Sequence, residues 1–382
     1  MKRLPSHIVH LALRPALLLA PALLLASCGQ AESGGPPPLS EAARAAVKAD
    51  PGTSQEKLAR AIDELFTDEG IGATDAVVVM HAGEIVAERY GDGIEKTTRL
   101  QGWSMAKTVT ALAIGMLVAD GRLHLDRSPP IPKWRRSGDA RGDITLRQLL
   151  QMRSGLRHTE SAEPAYKSDA ARLLLLDGRD DMARQAEAEP LADEPGRVFR
   201  YSTATGTILA DIATRTLTQS ENATARQKTM AEFMQARLFA PLGLHSMIAE
   251  FDAAGTMIGG AMISATARDW ARLGEFLRHG GSVKGAQVVP RKWVELMRHP
   301  SPRAPDYGVQ LWLNRPSGTD RDVLFASQGP ASAFAAIGRL GQFVIVSPRQ
   351  KLTVVRLGNT RAEDEPALRR KLAAIFALYP ES

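Results

Sequence analysis

The chain has 382 residues, 44% hydrophobic, 24% charged and 5% aromatic, with one cysteine and a formal charge of +6. This composition excludes a chain disordered throughout, a collagen-like repeat and a disulfide scaffold. The 48 basic residues barely outnumber the 42 acidic ones, and three of them (Lys2, Arg3, Arg14) sit at the extreme N-terminus. With no long Lys/Arg run, nucleic acid is not an expected partner.

Lys2 and Arg3 precede an apolar stretch from about Leu11 to Ala26, broken by Arg14, Pro15 and Pro21. A basic start, an apolar middle and small residues at the end read as a secretory signal. The run is short and proline-containing, which argues against a spanning helix. Leu25-Ala26-Ser27-Cys28 resembles a lipobox, which implies cleavage after residue 27 and a diacylglycerol on the Cys28 sulfur. The competing reading is an ordinary signal with a chance cysteine. Gly29 in place of Asp resembles outer-membrane sorting, which implies an exported protein anchored by lipid in the cell envelope, on the periplasmic face of the outer membrane. Residues 28–52, with Gly34-Gly35-Pro36-Pro37-Pro38, read as a tether. The folded domain is then expected over 53–382.

Thr53-x-x-Glu56 predicts a capped helix running to Phe66. Ala76–Met80 and Ile85–Ala87, joined through His81-Ala82-Gly83-Glu84, predict a β-hairpin. A helix is expected over about 104–119, ending at Asp120-Gly121. A long insertion from about 126 to 290 is mostly helical in pattern: a helix capped by Thr145 and ending at Ser154-Gly155, then helices near 169–189, 204–217, 226–239 and 266–278. Strand patterns return at 309–313, 323–326, 334–337, 343–346 and 352–355, and a last helix is expected over about 365–378. This order predicts an α/β protein of the α+β type, an antiparallel sheet lobe beside a largely helical lobe, with a cleft between them as the default site.

Three groups of residues carry candidate chemistry. Ser104-Met105-Ala106-Lys107 opens an apolar helix, and the i, i+3 spacing puts both side chains on one face. A serine hydroxyl needs a base, and a lysine serves when burial makes it neutral. The structural alternative is a capping serine with a lysine reaching for solvent. A second match, Ser54-x-x-Lys57, starts a polar helix and reads as a cap. Tyr201-Ser202-Thr203 leads into a predicted helix, where a phenol can relay protons or simply pack. Gly338-Arg339-Leu340-Gly341-Gln342 precedes a strand, where glycine signals a close backbone approach or a plain turn.

Together these residues, in this order, resemble the serine β-lactamase and penicillin-binding superfamily. Within it the chain is most similar to class C β-lactamase-like serine hydrolases, particularly the 6-aminohexanoate-dimer hydrolase branch. The resemblance extends over about 55–380. It includes Leu100–Lys107, Ile144–Leu156, Pro195-Gly196, Phe199–Ser202 and Ser264–Gly274. It implies a β-lactamase-like fold and hydrolysis of a small ester or amide. Ser104 would be the nucleophile, Lys107 its base, Tyr201 the proton relay, and the backbone N–H groups of Ser104 and Arg339 the oxyanion donors. Tyr166 lies where that branch has a substrate-contacting tyrosine, and Gln328 and Gly338 are further cleft candidates.

Two departures bear on substrate. Thr203 stands where many relatives have Asn, and Ala336-Ile337-Gly338-Arg339 replaces the Lys/His-Thr-Gly strand motif. Without those polar groups the resemblance favours an esterase or linear amidase over a true β-lactamase or DD-peptidase. A non-catalytic or very slow ligand-binding lipoprotein is the reading from a different class. An α/β-hydrolase is disfavoured, because Glu95-Lys96-Thr97-Thr98-Arg99 is no strand to precede a nucleophile elbow. The histidines beyond the leader are scattered, and no metal or other cofactor is expected.

Overall fold

The computed structural model describes residues 38–381. The expected signal, Cys28 and the Gly/Pro-rich stretch before residue 38 lie outside the described residues. The compact unit begins at Leu39.

Its centre is a six-stranded sheet in the order Glu84–Tyr90, Ala73–His81, Leu352–Asn359, Gln342–Ser347, Phe334–Gly338, Trp312–Leu313. Every neighbouring pair is antiparallel. The first and last long stretches of the domain thus meet mid-sheet, with Val78 opposite Val355. The predicted hairpin forms with Ala82 and Gly83 as its two turn residues, both at positive φ (53° and 94°), the geometry that matches strand twist.

Both faces of the sheet are covered, so its strands are almost continuously apolar. Val77, Val79, Phe343, Ile345 and Val354 point to one side, against Leu58, Ile62, Leu368, Leu372 and Phe376. Those partners belong to the helices Gln55–Thr67 and Glu365–Ala377. Ala76, Val78, Val344, Val346 and Val355 point to the other side, towards the core that holds the helices Ala106–Ala119 and Ala267–Arg278. Each fully buried aliphatic side chain contributes roughly 1.5–3 kcal/mol, so a one-residue slip of register would transpose two cores at once.

The insertion is largely helical, as expected. It also contains a small sheet in the order Leu100–Gln101, Ile263–Ala265, Ile248–Ala249. Ala106–Ala119 is buried from Ala106 through Leu117. It has no polar stripe because the insertion and the sheet enclose it from all sides.

Several expectations shift. Ser54, not Thr53, caps the first long helix, accepting from the Lys57 N–H; Thr53 Oγ1 instead donates to the Leu378 carbonyl. Thr145 caps its helix as expected, in a reciprocal box with Gln148, but the helix is only Leu146–Leu150 and ends before Ser154-Gly155. The helix expected over 169–189 is two, Asp169–Leu175 and Met182–Ala188, because Asp181 caps a new start on the Arg184 N–H. The helix expected from 226 starts earlier, at Ala223 under an Asn222 cap, and widens to a π-turn at Gln235–Phe239. Residues 309–311 and 323–326 are not strands. Val309, Leu311, Leu324 and Phe325 are buried, but the backbone bonds go elsewhere: Val309 N–H to the Met297 carbonyl, Phe325 N–H to Asn314 Oδ1. The second half of the expected tether packs as part of the domain. Ser40 caps a helix over Glu41–Ala45, and Val47 bridges to Ala87 at the edge of the sheet.

Candidate active site

The short strand Leu100–Gln101 runs into a single 3₁₀ turn, Trp103–Met105, which leads directly into Ala106–Ala119. Trp103 takes φ +48°, a costly conformation for a bulky residue, immediately before Ser104. Gly102 permits the turn: a Cβ there would lie 2.3 Å from the Trp270 ring. The neighbouring strand end is equally tight, since a Cβ on Gly338 would lie 2.1 Å from the Gly102 carbonyl. Glycine at 338 therefore serves a close backbone approach rather than a plain turn. That approach sets Arg339 beside the cavity that Ser104 also lines, with the arginine side chain itself exposed.

One helical turn on, Lys107 is 2% exposed. Its Nζ lies 2.8 Å from Ser104 Oγ, 3.0 Å from Thr203 Oγ1 and 2.7 Å from the Gly260 carbonyl. Burial pushes its pKa down to about 8, against the opposing charge of Glu160. The capping-serine and snorkelling-lysine alternative fails here, because this lysine is enclosed and bonded. At the second Ser-x-x-Lys, Ser54 is the cap that the sequence suggested.

Tyr201 closes the third side. Lys107 Nζ sits 4.7 Å from the centre of its ring, which packs on Trp312 at 5.2 Å and edge-on to Tyr307 at 6.0 Å. Burial first, and then the Glu160 charge, push the phenol pKa well up, while a hydrogen bond with Ser104 acts the other way. The phenol therefore stays protonated across the physiological range. The next residue anchors it. Ser202 caps the helix Thr203–Leu217, and its Oγ lies 3.1 Å from His158 Nδ1. The opposite ring nitrogen of His158, Nε2, is 3.0 Å from the Ala186 carbonyl. Burial lowers the His158 pKa, so it is a neutral structural peg.

Two residues past that peg, Glu160 reaches into the site. Its carboxylate accepts from the Thr203 backbone N–H at 2.6 Å and from Thr203 Oγ1 at 2.7 Å. Sequence reasoning missed Glu160 and the Gly260 carbonyl, since both come from loops with no motif of their own. Gly260 itself is enforced by packing, a Cβ there falling 2.4 Å from the Thr203 carbonyl.

Ser104, Glu160, Tyr201 and Thr203 line a cavity of about 420 Å³, with Lys107 enclosed behind Ser104. Its walls are mainly apolar, with Trp103, Leu174, Leu175, Trp312, Val323 and Ile337, and the polar side chains in it include those of Ser104, Glu160, Tyr201, Thr203, Arg339 and Glu365. Ser104, Lys107, Tyr201, Gly338 and Arg339 are thus brought together. Two other sequence candidates are not. Tyr166 is 61% exposed on the turn Ala165–Lys167 and lies outside the lining, although Ala165 and Ser168 belong to it. Gln328 lines a separate hollow with Gln350, Phe376 and Tyr379, because the loop 326–330 folds over the C-terminal helix and not over the cleft. Among the described residues, no group of three or more His, Cys, Asp or Glu is arranged to hold a metal.

Comparison with known proteins shows what the whole chain is similar to. A 6-aminohexanoate-dimer hydrolase of Paenarthrobacter ureafaciens is 22% identical over 326 residues, covering 82% of this chain and 80% of that protein. A Bacillus anthracis protein provisionally named for the same activity superposes with a TM-score of 0.65 at 24% identity, covering 81% of this chain and 79% of its own. A family VIII carboxylesterase superposes with a TM-score of 0.61 at 19% identity, over 84% and 96% of the two chains. The family model described as Beta-lactamase matches residues 58–378, nearly the whole described domain, with the Ser104–Lys107–Tyr201 cluster inside it. The chain belongs to the beta-lactamase family of serine hydrolases.

Proposed function

We propose that the protein cleaves small ester or linear amide bonds through an acyl-enzyme on Ser104. The observation that carries this reading is the enclosed Lys107 amine, 2.8 Å from the Ser104 hydroxyl and pushed towards neutrality by burial. Ser104 Oγ attacks the substrate carbonyl carbon while its proton passes to Lys107. The negative charge formed on the carbonyl oxygen is held by the backbone N–H groups of Ser104 and Arg339, at about 3 kcal/mol for each donor. When the tetrahedral adduct collapses, the bond to the leaving alkoxide or amine breaks and Tyr201 relays to it the proton taken up by Lys107, so that the phenol and the neutral amine are both restored. Water then attacks the acyl carbonyl carbon while Lys107 takes one of its protons; the bond to Ser104 Oγ breaks, that proton returns to the serine oxygen, and the carboxylic acid leaves.

Ester and linear amide are favoured over a β-lactam by the strand edge, where Ile337-Gly338-Arg339 offers no hydroxyl or lysine to grip a β-lactam carboxylate. The relatives named for 6-aminohexanoate-dimer hydrolysis and carboxylesterase activity support the same choice. The test is p-nitrophenyl acetate hydrolysis with intact-mass analysis, on protein lacking residues 1–28. The wild type should turn over and carry a transient acyl adduct, and Ser104→Ala should do neither. Nitrocefin turnover should fall far below ester turnover. Absence of both turnover and adduct in the wild type would shift the reading to a ligand-binding role.

We also propose that the protein is exported and held at the cell envelope by lipid on Cys28, a reading supported by Leu25-Ala26-Ser27-Cys28. Labelled palmitate should enter the full-length chain and be lost in Cys28→Ser, which should also leave the membrane fraction. Label retained in Cys28→Ser would refute the anchor.

A further inference from the structure

The hydrogen-bond partners of Lys107 differ in what they are able to do, and the difference fixes a direction. The Gly260 carbonyl only accepts, so Nζ must donate to it. Thr203 Oγ1 has one hydrogen, and the Glu160 carboxylate, which only accepts when ionised, takes it at 2.7 Å. Towards Lys107 the threonine oxygen is then left as an acceptor, and Nζ must donate to it as well. A neutral amine has two N–H bonds and one lone pair. With both N–H bonds committed, the lone pair faces the third neighbour, the Ser104 hydroxyl.

We infer that Glu160 is a positioning residue for the reaction: by holding the Thr203 hydroxyl proton, it makes Thr203 an acceptor and turns the Lys107 lone pair onto Ser104. Were the Thr203 proton free to turn, it would hydrogen-bond to the lysine lone pair and take the place that Ser104 requires. Glu160 also keeps its second oxygen on the Thr203 N–H, so the carboxylate cannot swing away without leaving a first-turn N–H of the helix Thr203–Leu217 unpaired. A Thr at position 203 satisfies the same arrangement as an Asn, whose amide N–H would donate to Glu160 while its carbonyl accepts from Lys107.

The charge of Glu160 acts in the opposite sense from its geometry. It favours the protonated lysine and so reduces the fraction of free base at neutral pH. The other ionisable groups facing Lys107 or the cavity are the Tyr201 phenol, Glu365 and Arg339. If Glu160 mattered only through charge, removing that charge would speed the reaction near neutrality. If it aligns the lone pair, removal lowers the rate at high pH, where the lysine is neutral with or without that charge.

This inference rests on the Ser104/Lys107 reading, and the experiment separates the two. Rates of p-nitrophenyl acetate turnover and of Ser104 labelling by a fluorophosphonate would be followed from pH 6 to 10. The proteins compared are wild type, Glu160→Gln, Thr203→Val and Thr203→Asn. Glu160→Gln should lose about tenfold or more of the high-pH plateau in both assays, part of the 10²–10⁴ that an aligned base supplies. Its acid limb should move to lower pH. Thr203→Val should show a similar plateau loss, and Thr203→Asn should lose clearly less, since it restores the direction of donation. A Glu160→Gln enzyme with the wild-type plateau at high pH, or one with a lower plateau and its acid limb unmoved, would overturn the inference. So would equal losses in Thr203→Val and Thr203→Asn. Wild-type protein that neither turns over nor labels at Ser104 would instead overturn the acyl-enzyme reading itself.

Discussion

Lys107→Met should remove ester turnover about as completely as Ser104→Ala, by roughly 10³-fold or more, because a nucleophile and its base act as a unit. The same residue sets the expected pH dependence. Only neutral Lys107 can accept the Ser104 proton, and burial places its pKa at about 8. In the wild type kcat/KM should therefore fall about tenfold per pH unit below 8 and level off above it. Tyr201 contributes no alkaline limb in the ordinary range, because burial holds the phenol protonated. The thioether of Met fills the lysine channel without a proton site, so a folded but inactive Lys107→Met protein separates chemistry from packing. A pH limb near 6.5 that survives in Lys107→Met would assign the base role to another group.

Glu187→Gln should flatten the pH dependence of stability between about pH 6.5 and 8. Glu187 is 1% exposed, on the helix Met182–Ala188 where it packs against Thr203–Leu217. Its carboxyl lies close enough to Asp211 to feel that charge, and Asp211 accepts from Arg226 and Arg215. Burial first, and then the Asp211 charge, raise the Glu187 pKa from 4.5 to about 8. The folded state thus holds a proton that the unfolded chain gives up above about 4.5. The stability from this group is complete below pH 4.5 and is lost as pH rises through 8, at about 1.4 kcal/mol per pH unit.

His158 works in the other direction, since burial lowers its pKa and stability rises with pH until its unfolded value near 6.5. The Glu187 slope should therefore stand clear only above that point, amounting to roughly 2 kcal/mol between pH 6.5 and 8. Above pH 8 the sign turns again. Unfolded Lys107 keeps its proton to 10.5, so stability climbs with pH. Urea unfolding of wild type should show a shallow minimum near pH 8. In Glu187→Gln, whose amide has no proton to lose in this range, the descending side should disappear. A descending slope that persists unchanged in Glu187→Gln would show that the carboxyl does not carry it.

The sequence by itself determined the elements whose residues interact locally. The hairpin was legible from two short apolar runs on either side of Ala82-Gly83, and the Thr145 cap from its own side chain. The Ser104–Lys107 pair was legible because i, i+3 spacing on a helix sets two side chains together whatever surrounds them. The resemblance extended this to Tyr201 and Arg339, residues that no local pattern joins to Ser104.

What only the tertiary structure decided concerns groups brought together across long stretches of chain. Residues 309–311 and 323–326 have the apolar content of strands, yet a buried loop satisfies the same content when its backbone finds partners elsewhere. Tyr166 and Gln328 sit near cleft residues in sequence and outside the cleft in space, because adjacency along a loop does not fix where its side chains point. Glu160 and the Gly260 carbonyl are the converse. Each lies in an unremarkable loop, and each becomes part of the site only when the chain folds it against Thr203 and Lys107. The lowered pKa of Lys107 belongs to the fold alone, since it arises from the loss of water around an amine, and the sequence contains the amine but not its enclosure.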